Sequence, residues 1–132
     1  MTSNTLKFVW ENKIHSISNL DPNETILNYV RLKLKKTGTK EGCAEGGCGA
    51  CTIVLGDLKN NKIVYQAINS CIAFVPSLEG KQLILVEDLV SKNGTLHTVQ
   101  DAMINYHGSQ CGFCTPGFVM SLFAMYKNFT FY

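Results

Sequence analysis

The sequence predicts a small α+β domain built around a glycine-rich cysteine loop, followed by a short helical segment. Three observations carry it. Alternating, β-rich runs recur through residues 1–90 with one amphipathic helix between them. A Gly/Ala-rich stretch, Gly42-Cys43-Ala44-Glu45-Gly46-Gly47-Cys48-Gly49-Ala50-Cys51-Thr52, spaces three cysteines as C-x4-C-x2-C, and Cys71 follows after room for two short strands. From Ser91 onward, apolar residues recur at helical rather than strand spacing.

In chain order, Leu6–Trp10 alternates, and Ile14–Ser18 follows the turn-like Glu11-Asn12-Lys13, so a β-hairpin is expected with Phe8 and Trp10 in its core or interface. Asp21-Pro22-Asn23 breaks the chain. Thr25–Lys36 then sets Ile26, Leu27, Val30 and Leu34 on one helical face, with Lys33, Lys35 and Lys36 at the end the helix dipole favours and Gly38 as C-cap. After the cysteine loop, Thr52–Leu55 and Lys62–Ile68 read as strands joined through the polar segment Gly56–Asn61, and Lys81–Val86 as a further strand. Lys92-Asn93-Gly94 reads as a linker. His97–His107 carries Val99, Ala102, Met103 and Tyr106 at helical spacing, ending at Gly108. A second helix starts with Thr115 as N-cap and Pro116 at N1 and runs to about Lys127. Its apolar residues, from Phe118 to Tyr126, surround the whole circumference, which is the pattern of a helix buried on all sides.

The four cysteines Cys43, Cys48, Cys51 and Cys71 show the plant-type ligand spacing of a [2Fe–2S] cluster. A loop that wraps a small cluster must bring backbone close to sulfur, so Gly42, Gly46, Gly47 and Gly49 suit it, some of them through positive φ. Inward-turned amides can then hydrogen-bond to the negatively charged cluster and tune its potential. Zinc usually takes two C-x2-C knuckles, and Cys43 with Cys71 do not make a second one. Disulfides need an oxidising compartment, to which nothing in Met1–Leu20 directs the chain.

The chain has 132 residues, 45% hydrophobic, with a formal net charge of +2, enough for one domain or one small domain plus part of another. The near-neutral balance gives no reason to expect nucleic acid or a membrane surface. The apolar run Phe118–Tyr126 is well below the ~18–20 residues that cross a bilayer. Six cysteines in such a chain point to a reducing, cytoplasmic setting and a metal.

A second cysteine pair lies in Ser109-Gln110-Cys111-Gly112-Phe113-Cys114-Thr115-Pro116-Gly117. By spacing alone, Cys111 and Cys114 fit a thioredoxin-type redox pair, half a zinc knuckle, half an iron–sulfur site or inert thiols. His15, His97 and His107 fit polar surface positions, with His107 the best placed to be a ligand. Glu41 and Glu45 belong to the loop's surface electrostatics. No G-x-G-x-x-G, P-loop or G-x-S-x-G motif occurs, and no catalytic residue is assigned.

Together, the Gly42–Thr52 and His107–Gly117 runs, with Asn69-Ser70-Cys71 and Leu96-His97-Thr98-Val99-Gln100, resemble the N-terminal iron–sulfur region of the molybdenum hydroxylases. Eukaryotic xanthine dehydrogenase is nearest, with aldehyde oxidase a near relative. The resemblance implies a plant-ferredoxin-like β-grasp domain over residues 1–90 with one [2Fe–2S] cluster on Cys43, Cys48, Cys51 and Cys71. It implies that residues 91–132 are the opening, two-helix half of a helical [2Fe–2S]-binding domain, with Cys111 and Cys114 as half of a second site. Gln110 matches a glutamine beside molybdopterin in that family. There, electrons run from molybdopterin through the two clusters to FAD. The family's second cluster needs a later C-x-C pair, which this sequence lacks, so a second cluster in this chain alone is not expected. FAD and molybdopterin domains or subunits are the expected partners, and the chain reads as C-terminally truncated. The uncovered last helix would then expose an apolar patch and favour self-association.

Two further functions stand beside electron transfer. One is a non-catalytic fragment with a structural metal or a partner-docking role. The other is a dithiol redox protein using Cys111 and Cys114.

Overall fold

The computed structural model describes residues 5–129. Residues 1–4, part of the stretch read as lacking a leader, and residues 130–132, where the resemblance breaks off, lie outside the described residues.

A five-stranded mixed sheet with strand order β2-β1-β5-β3-β4 forms the frame. Strand β1 (Thr5–Trp10) pairs antiparallel with β2 (Lys13–Ser18), and β3 (Thr52–Lys59) with β4 (Lys62–Asn69). The short β5 (Gln82–Ile84) joins the two ribbons, parallel to β1 and antiparallel to β3. Both hairpins turn on two residues at positive φ, Glu11 (51°) and Asn12 (61°) in one, Asn60 (50°) and Asn61 (61°) in the other. That is the primed turn whose twist matches the flanking strands. The polar stretch expected as a connector, Gly56 to Lys59, is therefore strand, paired with Tyr65 through Lys62.

Strand alternation loads both faces of the sheet. On one face Phe8, Ile53, Leu55, Leu83 and Leu85 meet Ile26, Tyr29 and Val30. These come from helix α1 (Ile26–Asn28), which runs directly into a π-helical turn (Tyr29–Lys33). Thr25 caps it, its hydroxyl accepting from the Asn28 N–H at 3.2 Å. Its end differs from expectation. The Leu34 N–H reaches back to the Tyr29 carbonyl, and Lys35 rather than Gly38 takes the left-handed conformation (φ 57°). Gly38 serves close approach instead: a Cβ there would stand 2.6 Å from both Glu87 Oε1 and Val86 Cγ1.

On the other face Val54, Ile84 and Leu89 meet α2 (Thr98–Asn105) and α3 (Thr115–Phe129) through Val99, Val119, Met120, Phe123 and Ala124. His97 caps α2, its Nδ1 accepting from the Val99 N–H at 3.3 Å, while burial and then Lys127 hold its pKa below the ordinary value. The helix closes in a Schellman turn. Gly108 and His107 N–H groups bond to the Met103 and Ile104 carbonyls, and His107 supplies the positive φ (51°). Helix α3 is not buried on all sides. Val119, Met120 and Phe123 face the sheet, whereas Phe118, Met125 and Phe129 are 63%, 53% and 69% exposed. Asn128 clamps its far end to the edge strand, accepting from the Tyr65 N–H and donating to the Tyr65 carbonyl. Among the described residues, no helix is long and apolar enough to cross a membrane.

One half-buried carboxylate links the frame. A single Asp88 oxygen accepts from Trp10 Nε1 at 3.0 Å and from the Leu85 N–H at 2.8 Å. Burial raises its pKa, with Glu11 and Glu87 adding to the rise. A raised folded-state pKa means that this group's contribution is full below the unfolded carboxylate pKa and is lost as pH rises through the folded value. An Asp88→Asn variant keeps both bonds on its amide oxygen and removes the ionisation. Its melting temperature is expected to exceed the parent's at pH 7, with the gap closing as pH falls through the carboxylate range. A gap of the same size at every pH contradicts this.

Candidate metal centre

The β3–β4 register builds the first half of the site. Thr52 pairs with Asn69, so the residues just beyond, Cys51 and Ser70, stand side by side. The buried Ser70 donates to the Cys51 carbonyl from its hydroxyl at 2.6 Å and its N–H at 3.4 Å. Cys71 follows directly, half-buried next to Ser70. A one-residue slip would throw the two cysteines to opposite faces. The N-terminus of α1 holds the returning chain, since the Ile26 and Leu27 N–H groups bond to the Ala73 and Ser70 carbonyls.

The loop before β3 builds the other half. Arg31 anchors it through the Thr37 and Thr39 carbonyls at 3.1 and 2.7 Å, and Asn69 Nδ2 holds the Gly46 carbonyl at 2.9 Å. Backbone amides turn inward onto sulfur. Cys43 Sγ accepts from Gly47, Cys48 and Glu45 at 3.2, 3.3 and 3.4 Å, and Cys48 Sγ from Cys43 and Ala50 at 3.4 and 3.5 Å. The Glu45 N–H first, then those of Cys48 and Gly47, bring the Cys43 thiol down to about 7. Cys71 is pushed up to about 11, chiefly by burial and then by its bond to Cys51. Cys43 and Cys48 thus exchange backbone N–H to sulfur bonds, while the β3–β4 register brings Cys51 and Ser70, and with it Cys71, to one end of the ribbon. Among the described residues, no three His, Cys, Asp or Glu side chains converge on one ion-sized position. Several N–H groups aimed at sulfur suit a negatively charged iron–sulfur group.

The loop glycines divide the work. Gly46 (φ 78°) and Gly49 (φ 75°) take the left-handed region, as does Ala44 (φ 57°), which the glycine pattern could not single out. Gly42 provides space, because a Cβ there would stand 2.8 Å from Cys48 Sγ. Gly47 contributes its N–H, with no crowding around the position. Glu41 and Glu45 are exposed.

The second pair lies against this loop. Cys111 and Cys114 are exposed, as is Gln110 beside them. The Phe113 ring lies next to Gly42, and α3 presses its first turn onto the loop at Gly117. Ser109 and Thr115 hydroxyls hydrogen-bond across the C-x2-C turn at 2.6 Å. Neither Gly117 nor Phe113 was legible as a loop contact, because each meets residues more than sixty positions away in the chain. His15 bonds to the Trp10 carbonyl and stacks on Phe8, and His97 is spent on its cap, so neither faces the cysteines. A separate cleft of about 250 Å³, with Asp88, His97, Gln82 and Phe123 in its wall, holds no cysteine.

Two family models match the sequence, a 2Fe-2S iron-sulfur cluster binding domain over residues 12–76 and a [2Fe-2S] binding domain over residues 85–130. Xanthine dehydrogenase of Blastobotrys adeninivorans is 48% identical over 128 residues, 96% of this chain and 9% of that protein. Aldehyde oxidase 1 of Oryctolagus cuniculus is 44% identical over 111 residues, 83% of this chain and 8% of that protein. Among solved structures, quinoline 2-oxidoreductase from Pseudomonas putida 86 superposes with a TM-score of 0.79 at 28% identity, covering 95% of this chain and 71% of that one. The chain therefore spans about a tenth of the length of the curated relatives it matches.

Proposed function

The chain belongs to the iron–sulfur region of the xanthine dehydrogenase and aldehyde oxidase family, and from that premise we propose that it passes single electrons through one [2Fe–2S] cluster held by Cys43, Cys48, Cys51 and Cys71. The observation that supports the assignment is the set of backbone amides turned onto Cys43 and Cys48 sulfur, with the β3–β4 register bringing Cys51 and Ser70 side by side just before Cys71. When bound, such a cluster supplies one reversibly accepted electron and no bond chemistry. The chain's own residues do the rest. Amides of Glu45, Gly47 and Cys48 stabilise negative charge at Cys43 sulfur, and those of Cys43 and Ala50 do so at Cys48. Gly42, Gly46 and Gly49 let the backbone stand close enough for these bonds. Residues 1–90 form the ferredoxin-type β-grasp part in this reading, and residues 91–132 the helical part.

The family resemblance extends the proposal to a cytoplasmic enzyme in which electrons come from a molybdopterin centre and leave toward FAD, both on partner domains or subunits. Gln110, exposed on the C-x2-C turn, is the residue proposed to face molybdopterin. Cys111 and Cys114 supply half of a second site. Protein purified under argon is expected to be brown, with about two irons and two acid-labile sulfides per chain. Colourless protein with stoichiometric zinc removes the reading.

One observation favours a docking role beside electron transfer. An open groove of about 480 Å³ between α2 and α3 is lined by Val99, Ala102, Leu122, Met125, Tyr126 and Phe129. We propose that this face meets the partner domains and, where they are lacking, drives self-association. Sedimentation that stays monomeric across a wide concentration range removes the self-association.

A further inference from the structure

The second cysteine pair carries a residue that reaches the first site. Phe113 stands between Cys111 and Cys114 and is 48% exposed, so it is not held there by core packing. A Cβ placed on Gly42 would lie 3.6 Å from Phe113 Cε1 and 2.8 Å from Cys48 Sγ. One point in the loop is thus shared by the ring and the sulfur, with only a glycine between them. Cys48 is exposed, and the ring stands across Gly42 from its sulfur. We propose that Phe113 is a positioning residue for the cluster of the first site, shielding its Cys48 edge from water and so holding its reduction potential down.

The physics is that of solvation. Reduction adds negative charge, water stabilises the more charged state better than an aromatic ring does, and exposure is one of the properties that set cluster potential. Removing the ring therefore moves the potential upward.

The inference rests on the cluster assignment above, and the experiment separates the two. The full chain is compared as parent, Phe113→Ala and Phe113→Leu, by EPR-monitored redox titration of anaerobically prepared protein. Phe113→Ala is expected to shift the midpoint potential in the positive direction, Phe113→Leu to restore most of the parent value, and all three to melt together. Equal potentials in parent and Phe113→Ala overturn the shielding role while leaving the cluster in place. A parent without a cluster overturns the cluster assignment instead. Iodoacetamide labelling of metal-free protein then decides the cover: Cys48 is labelled faster in Phe113→Ala if the ring shields it, and equal rates overturn it.

Discussion

A Cys51→Ser chain is expected to lose its iron, its sulfide and its visible colour. Cys51 is 2% exposed and sits where the β3–β4 register fixes it, with its carbonyl taking two bonds from Ser70. A serine hydroxyl is similar in size but does not ionise near neutral pH, so one ligand of four is gone. Outer partners of a metal ligand are worth roughly 10–100-fold in affinity. Loss of the ligand itself is expected to cost more. Because a group that binds only the folded state adds its binding free energy to folding, the variant should melt with the metal-free parent rather than with the loaded one. Cys114→Ser, on the exposed second pair, is expected to leave colour and iron unchanged. Parent-like iron content in Cys51→Ser would contradict the ligand assignment.

Gly117→Ala is expected to be the most damaging single methyl in the chain. A Cβ at Gly117 would stand 2.1 Å from the Gly49 carbonyl oxygen and 3.3 Å from Ala50 Cα. Both partners are backbone, and the Gly49 carbonyl is already fixed by the Thr52 N–H at 3.1 Å and its hydroxyl at 2.6 Å. Neither a rotamer change nor a flexible tip relieves the overlap. Overpacking a tight contact costs about 1–3 kcal/mol, and the upper end applies here. A domain of this size then melts roughly 10 °C lower. Helix α3 can escape only by lifting off the loop between Cys48 and Cys51, so cluster yield should fall with stability. A Gly117→Ala protein that melts with the parent and keeps its colour would show that α3 does not press on the loop.

How much of this could be read from the chain differs by element. The inward-turned amides of the cysteine loop were legible from its glycine-rich spacing, and both hairpins because alternation and turn residues agree. The length of β3 was not: Gly56 and Asp57 look like turn residues, yet Gly56 is paired between Tyr65 and Gln82. The end of α1 was misplaced by its apparent C-cap glycine, since a π-helical turn brings the chain to Lys35 early and Gly38 is needed to pass Glu87 and Val86. That part of α3 would be left uncovered was legible, but not which half, because a helix apolar all round does not reveal the side that meets a sheet. Val119, Met120 and Phe123 do, and Phe118 and Met125 do not. Within the site, Ala44 hides its positive φ behind an ordinary residue type, and Gly117 and Phe113 act through contacts that only the fold creates.

The most direct measurement is iron X-ray absorption on anaerobically purified protein. Two irons within scattering distance of each other, each in an all-sulfur shell made by two thiolates and the bridging sulfides, is the predicted result. A lone metal with four thiolates around it, or iron with no iron neighbour, would contradict the arrangement of Cys43 with Cys48 and Cys51 with Cys71 around a binuclear cluster.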